Sequence, residues 1–316
     1  MIKNIYTGEE FPVDWDFDKS VALNRTDLTY HGLLLNILTN GLWKQNRTGV
    51  KTLSIFGPQV EFINVAERFP LLTTKKIFLK GVIGELLWFL SGSTNKFELK
   101  EKYGTSIWDE WGDDETGEMG PIYGHQWVNW EYWKPEPTAM PIPSHGQLRL
   151  TSINQLQNII DTLKTNPDDR RMIVSAWHVE QLSEMALPPC HWSFQFYTNQ
   201  YPGEEKRRLH IKMHIRSWDI FLGGPFNIAS YAILLLMMAK EVDMLAGNLI
   251  ISAGDVHIYE NHLEYIYKQL ERTSKAQEPV MTLNPEKGFW DYEGIQDFEL
   301  QGYDAHPNWR GVPIAV

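Results

Sequence analysis

The chain has 316 residues, of which 43% are apolar and 22% charged, the balance of a soluble globular protein with one large or two ordinary domains. Its formal net charge is −11 and its pI about 5.4, which excludes broad, non-specific attraction to nucleic acid or to an anionic membrane. An anionic substrate would therefore need a local cluster of arginines.

Cysteine content and the N-terminal sequence bear on the compartment. The single cysteine, Cys190, cannot form an internal disulfide, so we expect a reducing environment. The N-terminal sequence has no apolar core of signal-peptide length, and the longest apolar run, 228–239, is too short to span a bilayer. We therefore expect a cytoplasmic protein.

The first half of the chain mixes irregular and periodic segments. Residues 1–26 show no period, which predicts an N-terminal arm or loop. Leucines at helical spacing predict a helix over 28–41, and 52–65 reads as two strands broken by a Gly-Pro turn. The apolar run 81–92 predicts a buried helix, although it contains Glu85.

The second half predicts one amphipathic helix over 151–167, with Ser152 and Gln155 as its capping box. Four prolines between 135 and 143 indicate a surface loop over 131–147, so we expect one domain over 27–316. The remaining predicted elements are strands at 171–177, 192–198, 209–215, 248–253 and near 297–302, and helices at about 226–242 and 257–272. This order lacks strict βαβ alternation and indicates an α+β fold, a large mixed β-sheet covered by helices.

Cys190 lies in the stretch LPPCH, behind two prolines. A lone cysteine is more often a buried apolar residue, but stiff backbone and nearby cations favour a reactive thiolate. Adjacent residues on a strand point to opposite faces, so we do not expect His191 to act as its base. This disfavours a cysteine protease.

A carboxylate in an apolar helix is costly unless it is hydrogen-bonded or protonated. Glu85 is therefore either a partly exposed helix position or a functional acid. Farther along, RSWDIFLGGPFNIASY (216–231) places polar side chains at a strand end and Asn227 at a helix start. Such a junction suits an anionic or polar ligand, although Asn227 alone could be a helix cap.

Arginines at three places, Arg47, Arg170 and Arg171, are of the type that binds phosphate in bidentate fashion, although each alone would be a surface charge. His257 and Tyr259 share one face if the chain is extended there. Neither helix nor strand spacing aligns His257 with His262, and His210 and His214 could share a strand face but lack a third ligand, so no metal site is predicted.

Nine motifs in order resemble the thymidylate synthase family from about residue 27 onward. They are RTG, FPLLTTKK, ELLWFLSGSTN, IWDEWGDD, GPIYGHQW, DDRRMIVSAW, ALPPCH, RSWDIFLGGPFNIASYA and GDVHIYENH. The resemblance implies an α+β homodimer with one sheet face buried between the subunits. It also implies reductive methylation of dUMP by 5,10-methylenetetrahydrofolate, giving dTMP and dihydrofolate.

The resemblance also assigns site residues. The catalytic set is Cys190, which would add to C6 of the pyrimidine, with Glu85, Tyr123, Asp219 and Asn227. The dUMP set is Arg47, Arg216, Ser217, Asp219, Asn227, His257 and Tyr259, joined by Arg170 and Arg171 of the partner subunit. The folate set is Ile107, Trp108, Trp111, Asp219, Leu222, Gly223, Phe226 and Val316, the last closing over the site. No metal, DNA or membrane partner is implied.

The chain departs from the family pattern without losing a residue of the covalent chemistry. The departures are Ile215 for glutamine, His178 for asparagine, His125 for lysine, Val128 for arginine, Val256 for threonine and Gly224 for leucine. They loosen the polar network around the ligands, so altered folate handling is a hypothesis.

Two alternatives remain at this stage. A deoxyuridylate hydroxymethylase would use water instead of hydride in the last step, whereas a cytosine-specific relative would carry aspartate in place of Asn227. A non-catalytic nucleotide- or RNA-binding relative is disfavoured because Cys190, Glu85, Tyr123 and Asn227 are all retained. We favour the synthase because Trp108, Asn227 and the residues of C-terminal closure are present.

Overall fold

The computed structural model describes residues 1–15, 17–135 and 148–315, so the part of the proline-rich loop from 136 to 147 lies outside the described residues. In the described part of the chain there are eight α-helices. They are α1 (Phe17–Val21), α2 (Arg25–Asn40), α3 (Leu79–Ser91), α4 (Lys96–Tyr103), α5 (Tyr123–Val128), α6 (Gln155–Thr165), α7 (Gly223–Glu241) and α8 (Leu263–Leu270).

The strands form one large sheet and three small hairpins. They are β1 (Ile2–Lys3), β2 (Glu10–Phe11), β3 (Leu42–Lys44), β4 (Thr52–Phe56), β5 (Gln59–Phe62), β6 (Trp130–Pro135), β7 (Leu148–Ile153), β8 (Ile173–Ser175), β9 (His191–Asn199), β10 (Arg208–Asp219), β11 (Leu245–Tyr259), β12 (Val280–Leu283) and β13 (Phe298–Gln301). The large sheet has the order β3-β4-β11-β10-β9-β8, and β5 also pairs with β11.

The large sheet is mixed. Its two longest strands, β10 and β11, run parallel, and its other described pairs are antiparallel. The parallel pair is joined through α7, since parallel neighbours need a crossover connection. Both strands therefore end at the same edge of the sheet, and α7 begins there. The prediction of an α+β fold with a large mixed sheet and helices is confirmed.

Helices cover one face of the large sheet. Helix α7 packs against β10, β11 and α3, and its residues from Ile228 to Ala239 are all buried, as the nearly uniform apolar run predicts. On the other face, Ile173 and Tyr197 are 51% and 60% exposed. This second face carries large apolar side chains that no described element covers.

A buried carboxylate fixes the segment that leads into α3, the helix of Glu85. Asp27, in the first turn of α2, accepts hydrogen bonds from the hydroxyls of Thr73 (2.6 Å), Thr74 (2.7 Å) and Ser274 (2.6 Å). Several donors compensate its desolvation. The segment that leads into α3 is therefore held to the protein core by these hydrogen bonds.

Two local predictions are wrong. The cap of α6 is Asn154, whose side chain accepts from the Gln157 amide, because Ser152 is still in β7 and paired with β6. The helix predicted from residue 257 begins only at Leu263. Residues 257–259 instead complete β11, which pairs with β10 and β4 to its end. In both places sheet pairing overrides the local signal.

The N-terminal segment 1–26 carries the β1–β2 hairpin and α1. Phe11 and Val13 are each only 1% exposed. The side chain of Asn4 donates to the carbonyls of Leu38 and Gly41 at the end of α2. The segment is thus docked on the same core as the rest of the chain.

Candidate active site

A cleft of about 1130 Å³ lies where β10 and β11 end and α7 begins. Fourteen of the residues predicted for the site line it: Arg47, Glu85, Ile107, Trp111, Cys190, Arg216, Ser217, Asp219, Leu222, Gly223, Phe226, Asn227, His257 and Tyr259. They come from widely separated parts of the chain: the parallel strand pair supplies five of them, and helices and loops around the end of that pair supply the others.

Cys190 is half-buried and immediately precedes β9. Its amide donates to the Tyr123 hydroxyl (2.8 Å), and its carbonyl accepts from the Arg216 amide (2.8 Å). Burial raises the pKa of the thiol, whereas Arg216, the Tyr123 hydrogen bond and Arg47 oppose that rise. The backbone of Cys190 is therefore fixed at both its amide and its carbonyl, and the positive charges of Arg216 and Arg47 offset part of the effect of burial on the thiol.

Arg216 braces the turn in front of the thiol. Its Nε donates to the Pro189 carbonyl (2.9 Å) and its Nη2 to the Pro188 carbonyl (2.7 Å). A guanidinium has five N–H donors, so donors remain for an anion in the cleft. Arg216 thus combines a structural brace with a positive charge next to Cys190.

Arg47 supplies a second positive charge from an exposed turn between β3 and β4. The turn is closed by Asn46, whose Oδ1 accepts from the Thr48 amide (2.9 Å), and by Gly49 at φ 74°. A positive φ is readily adopted only by glycine. Arg47, in this turn, lines the same cleft as Arg216 and Ser217.

Glu85 points from α3 into the cleft. Its Oε1 accepts from Trp108 Nε1 (2.7 Å). Burial of the carboxyl group raises its pKa to about 7, and the Trp108 hydrogen bond opposes that rise. At neutral pH a carboxyl group with this pKa can both donate and accept a proton.

Tyr123 lies behind the thiol rather than on the cleft wall. It is 2% exposed; its ring stacks on Phe89 (5.0 Å between centroids) and contacts His191 in a tilted arrangement (4.2 Å). Burial raises its pKa well above the ordinary value. It is therefore a neutral phenol that contacts the backbone of Cys190.

His191 points away from the thiol, as the alternation of strand residues predicts. Its Nδ1 bonds the Tyr231 hydroxyl (2.9 Å), and burial lowers its pKa to about 3. A neutral imidazole in the core, bonded elsewhere, is not a base for Cys190. The arrangement is not that of a cysteine protease.

Asp219 and Asn227 lie where β10 leads into α7. Oδ1 of Asp219 accepts from the amides of Phe221 (3.0 Å) and Leu222 (3.2 Å). The helix cap is Leu222, which makes no side-chain cap bond. Asn227 is therefore not the cap of this helix, and its amide faces the cleft.

His257 and Tyr259 both lie on β11, so they share one face, as expected for extended chain. His257 Nδ1 bonds Oδ1 of Asp255 (2.9 Å), and Oδ2 of Asp255 accepts from Lys44 Nζ (3.0 Å). Because the carboxylate accepts at Nδ1, it fixes the tautomer and leaves Nε2 for a ligand.

One side of the cleft is apolar. Ile107, Trp111, Leu222 and Phe226 line it, and Trp108 stands behind them, bonded to Glu85. The C-terminal segment completes this wall through Asn308, Trp309, Gly311, Val312, Ile314 and Ala315. Val316 lies outside the described residues.

Arg170 and Arg171 do not join the cleft of their own chain. Both are exposed, and Arg171 pairs with Asp169 (2.7 Å). Within this chain, the predicted phosphate cluster therefore consists of Arg47, Arg216 and Ser217.

The departures from the family pattern lie outside the cleft lining. Ile215 and Val256 are buried in the sheet, at 2% and 0% exposure. His178 stacks on Trp130 (4.3 Å) and bonds the Glu131 carbonyl (3.1 Å). His125 lies 3.8 Å from the Glu131 carboxylate. The remaining two, Val128 and the buried Gly224, are helical positions in α5 and α7.

Sequence reasoning missed three lining residues with clear roles in the geometry. Lys75 donates to the Phe221 carbonyl (2.6 Å), and burial lowers its pKa to about 8. Asp255 and Lys44 hold His257. Lys75 belongs to the TTKK motif and Asp255 to GDVH. The two motifs are visible in the sequence, but the hydrogen bonds that these side chains make are not.

Two further observations concern metals and membranes. Among the described residues, no group of three or more His, Cys, Asp or Glu side chains could hold a metal ion. In the same part of the chain, no helix is long and apolar enough to cross a membrane.

Residues 28–316 match the model of the thymidylate synthase family. The match covers nearly the whole chain and begins after the N-terminal segment. The chain therefore belongs to the thymidylate synthase family, whose members use methylenetetrahydrofolate.

Proposed function

We propose that the protein is a thymidylate synthase, which converts dUMP and 5,10-methylenetetrahydrofolate to dTMP and dihydrofolate. The observation that carries this proposal is the grouping of Cys190, Arg216, Glu85 and Asn227 around one cleft. A thiol beside cations, an acid with a pKa near 7 and an amide meet where a pyrimidine nucleotide and a second ligand both have room. The family alone does not separate this reaction from that of hydroxymethylase relatives.

The nucleotide phosphate would bind at Arg47, Arg216 and Ser217. Two guanidinium groups and a hydroxyl provide the charge-assisted hydrogen bonds that phosphate requires, against a net charge of −11 for the whole chain. Arg170 and Arg171 of the partner subunit would complete the cluster, since they do not reach the cleft of their own chain.

The base and sugar would bind farther along the cleft. An amide offers both a donor and an acceptor, so Asn227 suits the O4 and N3–H edge of uracil. Nε2 of His257, held by Asp255, and the Tyr259 hydroxyl would bond the sugar hydroxyl. Asp219 would support this side of the site through the turn that it closes at residues 221 and 222.

The thiolate of Cys190 would add to C6 of the base. The sulfur lone pair forms the S–C6 bond, and the electron pair of the C5–C6 double bond moves to C5 and O4. Arg216 stabilises the thiolate, and Asn227 with Glu85 supports the negative charge near O4. When the adduct later breaks, the electron pair returns to sulfur.

The apolar wall fits a reduced folate. Ile107, Trp108, Trp111, Leu222, Gly223 and Phe226, with Val316, would hold its rings, while the Asp219 carboxylate offers acceptors for ring N–H groups. When bound, methylenetetrahydrofolate supplies the one-carbon unit and the hydride. The C-terminal segment would exclude water from the transfer.

Proton transfers would fall to Glu85 and Tyr123. Glu85 has a pKa of about 7, so it can exchange a proton with O4 and with the folate nitrogen near neutral pH. Tyr123 would assist removal of the C5 proton from its position behind Cys190. No metal ion is needed in this scheme.

A homodimer is part of the proposal. The sheet face that bears Ile173 and Tyr197 would be covered by a second copy, and isologous pairing would carry Arg170 and Arg171 to the other cleft. Sedimentation should give a dimer at activity-assay concentrations. A fully active monomer would contradict the shared site. A cytoplasmic location stays a prediction.

The deciding experiment is one incubation with dUMP and methylenetetrahydrofolate, followed by absorbance for dihydrofolate and by mass spectrometry of the nucleotide. We expect dihydrofolate and a methylated nucleotide. Tetrahydrofolate with a hydroxymethylated nucleotide would instead identify a hydroxymethylase. The control is Cys190→Ser, which should bind dUMP but form neither product nor a covalent adduct with 5-fluoro-dUMP; a mere nucleotide-binding protein would be indifferent to it.

A further inference from the structure

Lys96, the first residue of α4, is a buried lysine whose side chain is only 4% exposed. Lysine is almost never so buried unless its ammonium group is paired. This side chain lies outside the cleft and takes no part in the proposed chemistry. Its burial therefore needs a separate explanation.

The ammonium group of Lys96 satisfies all three of its donors on one loop. It donates to the carbonyls of Asp109 (3.2 Å) and Trp111 (2.9 Å) and to Oδ1 of Asp114 (2.8 Å). Two of these acceptors are backbone groups, so the lysine fixes the path of the chain rather than one side chain. Hydrogen bonds from a charged donor are the stronger class.

The turn that Lys96 holds carries part of the cleft wall. Trp111 lines the cleft, and Trp108 donates to Glu85. The two indole rings contact each other edge to face at 5.6 Å. A shift of the backbone at 109–111 would therefore move both indoles.

Other ties fix the far end of the same loop. The amide of Lys96 donates to the Gly117 carbonyl (2.8 Å), and the Asn95 side chain donates to the Thr116 carbonyl (2.8 Å). These bonds hold residues 116 and 117, whereas the ammonium group holds 109–114. Removing the ammonium group would take three hydrogen bonds from the part of the loop that bears Trp111 and leave the far end anchored.

We propose that Lys96 is a positioning residue that sets the Trp108–Trp111 turn against the folate side of the cleft. The inference deepens the proposed function and rests on it in taking that side to bind folate. Lys96 acts through the two tryptophans and touches neither substrate. Its loss should weaken folate binding more than nucleotide binding.

The test compares Lys96→Met with Lys100→Met in steady-state kinetics, with each substrate varied in turn. Lys100 is a matched control because it binds the same loop through the Asp109 carboxylate (2.9 Å), but at the surface. We expect the KM for methylenetetrahydrofolate to rise about tenfold in K96M and the KM for dUMP to stay within about twofold. K100M should change neither value by more than about twofold.

A second readout is the pH dependence of kcat. The Trp108 hydrogen bond lowers the pKa of Glu85, so a displaced Trp108 moves the midpoint upward in K96M but not in K100M. The phenols of Tyr123 and Tyr231 also interact with Glu85, but burial raises their pKa values well above the ordinary value, so they do not titrate in this range. Lys75, whose pKa burial lowers to about 8, lines the same cleft, and K96M leaves its bond to the Phe221 carbonyl in place.

An unchanged folate KM in K96M, or an equal rise in both KM values, would overturn the inference. Should K96M fail to fold, Lys96→Gln decides by the same two KM values, because glutamine keeps N–H donors without the charge. If the wild-type protein makes hydroxymethylated nucleotide, the proposed synthase reaction is wrong. The role of Lys96 is still tested in that case, because the KM for methylenetetrahydrofolate can still be compared between variants. If neither product forms, calorimetric binding of methylenetetrahydrofolate in the presence of dUMP gives the same comparison.

Discussion

The two sides of the cleft are built in different ways. On the side proposed to bind the nucleotide, Arg216, Ser217, His257 and Tyr259 project from the ends of two paired strands, so the sheet ladder sets their spacing. On the side proposed to bind folate, the wall consists of a loop, the start of α7 and the C-terminal segment, held by single side chains such as Lys96. His262, whose Nε2 bonds the Pro313 carbonyl (2.8 Å), anchors that segment.

This difference teaches which kind of change each side tolerates. A strand end moves only if the sheet does, so substitutions there mainly remove a chemical group and its bonds while the strand itself stays in place. A loop held by a few tethers shifts as a body when one tether is lost. We therefore expect chemical and nucleotide-binding defects from the first side, and folate-binding defects from the second.

The largest effect should come from Arg216→Ala. The change removes two hydrogen bonds to the prolyl carbonyls before Cys190 and a cation that favours the thiolate. We expect kcat/KM for dUMP to fall about 10³-fold, measured by initial rates. Arg47→Ala, at an exposed turn, is the control and should lose only about tenfold. Equal losses would show that Arg216 acts as a phosphate ligand alone.

Glu85→Gln should lower kcat about 10²-fold, the usual contribution of a positioned acid or base. The variant should also lose the pH midpoint near 7 that the raised pKa of Glu85 gives to the wild type. Initial rates between pH 5 and 9 measure both. A midpoint that survives the substitution would belong to another group.

The same variant should be more stable than the wild type above pH 7. The folded state binds the Glu85 proton more tightly than the unfolded state, whose pKa is about 4.3. The resulting stabilisation is present below that value and is lost as the pH rises through about 7. Glutamine does not ionise and so avoids this loss. We therefore expect the free energy of unfolding of the Glu85→Gln variant at pH 8 to exceed that of the wild type by about 1–3 kcal/mol. Near pH 4 the two unfolding free energies should be equal.

Asp255→Asn should have a smaller effect than Arg216→Ala on the side of the cleft formed by the strand ends. The substitution removes the carboxylate that fixes the His257 tautomer and pairs with Lys44. We expect the KM for dUMP to rise about tenfold, with the KM for methylenetetrahydrofolate unchanged. Lys44→Met removes the exposed half of this network and should cost less than Asp255→Asn. A larger loss from Lys44→Met would mean that the ammonium group itself binds the nucleotide.

The smallest effect should come from Trp111→Leu on the folate side. The change removes an aromatic surface but leaves the Trp108 bond to Glu85. We expect the KM for methylenetetrahydrofolate to rise about fivefold and the KM for dUMP to stay constant. A rise in the KM for dUMP would contradict the claim that the two sides of the cleft bind the two substrates separately.

Much of the fold followed from the sequence because long apolar periods dominate it. The helices α2, α3 and α7 and the strands β9 and β10 were predicted close to their observed bounds. Short or competing sequence signals gave two wrong predictions. Ser152 matches a capping box but lies in a hairpin strand. The helical pattern after residue 257 overlaps the last residues of β11, which are extended. Tertiary pairing decides such positions, and no local pattern contains it.

The site was predictable as a set of residues but not as a set of contacts. Motifs identified Cys190, Glu85 and Asn227, and the structure brings them to one cleft. The Trp108 bond to Glu85 and the brace from Arg216 to Pro188 depend on the path of loops. Arg170 and Arg171 lie away from the cleft of their own chain, so their proposed role depends on the packing of a second copy, which a local sequence pattern does not encode.

The burial of Cys190 has a consequence for chemical durability. Peroxide attacks the thiolate, and burial keeps this thiol mostly protonated in the resting enzyme, so oxidation is slow until the site is in use. With no second cysteine in the chain, a sulfenic acid formed there would have no internal thiol with which to make a protective disulfide. Protection of Cys190 from oxidation therefore depends on keeping its thiol protonated, because the chain has no second thiol that could reverse the oxidation.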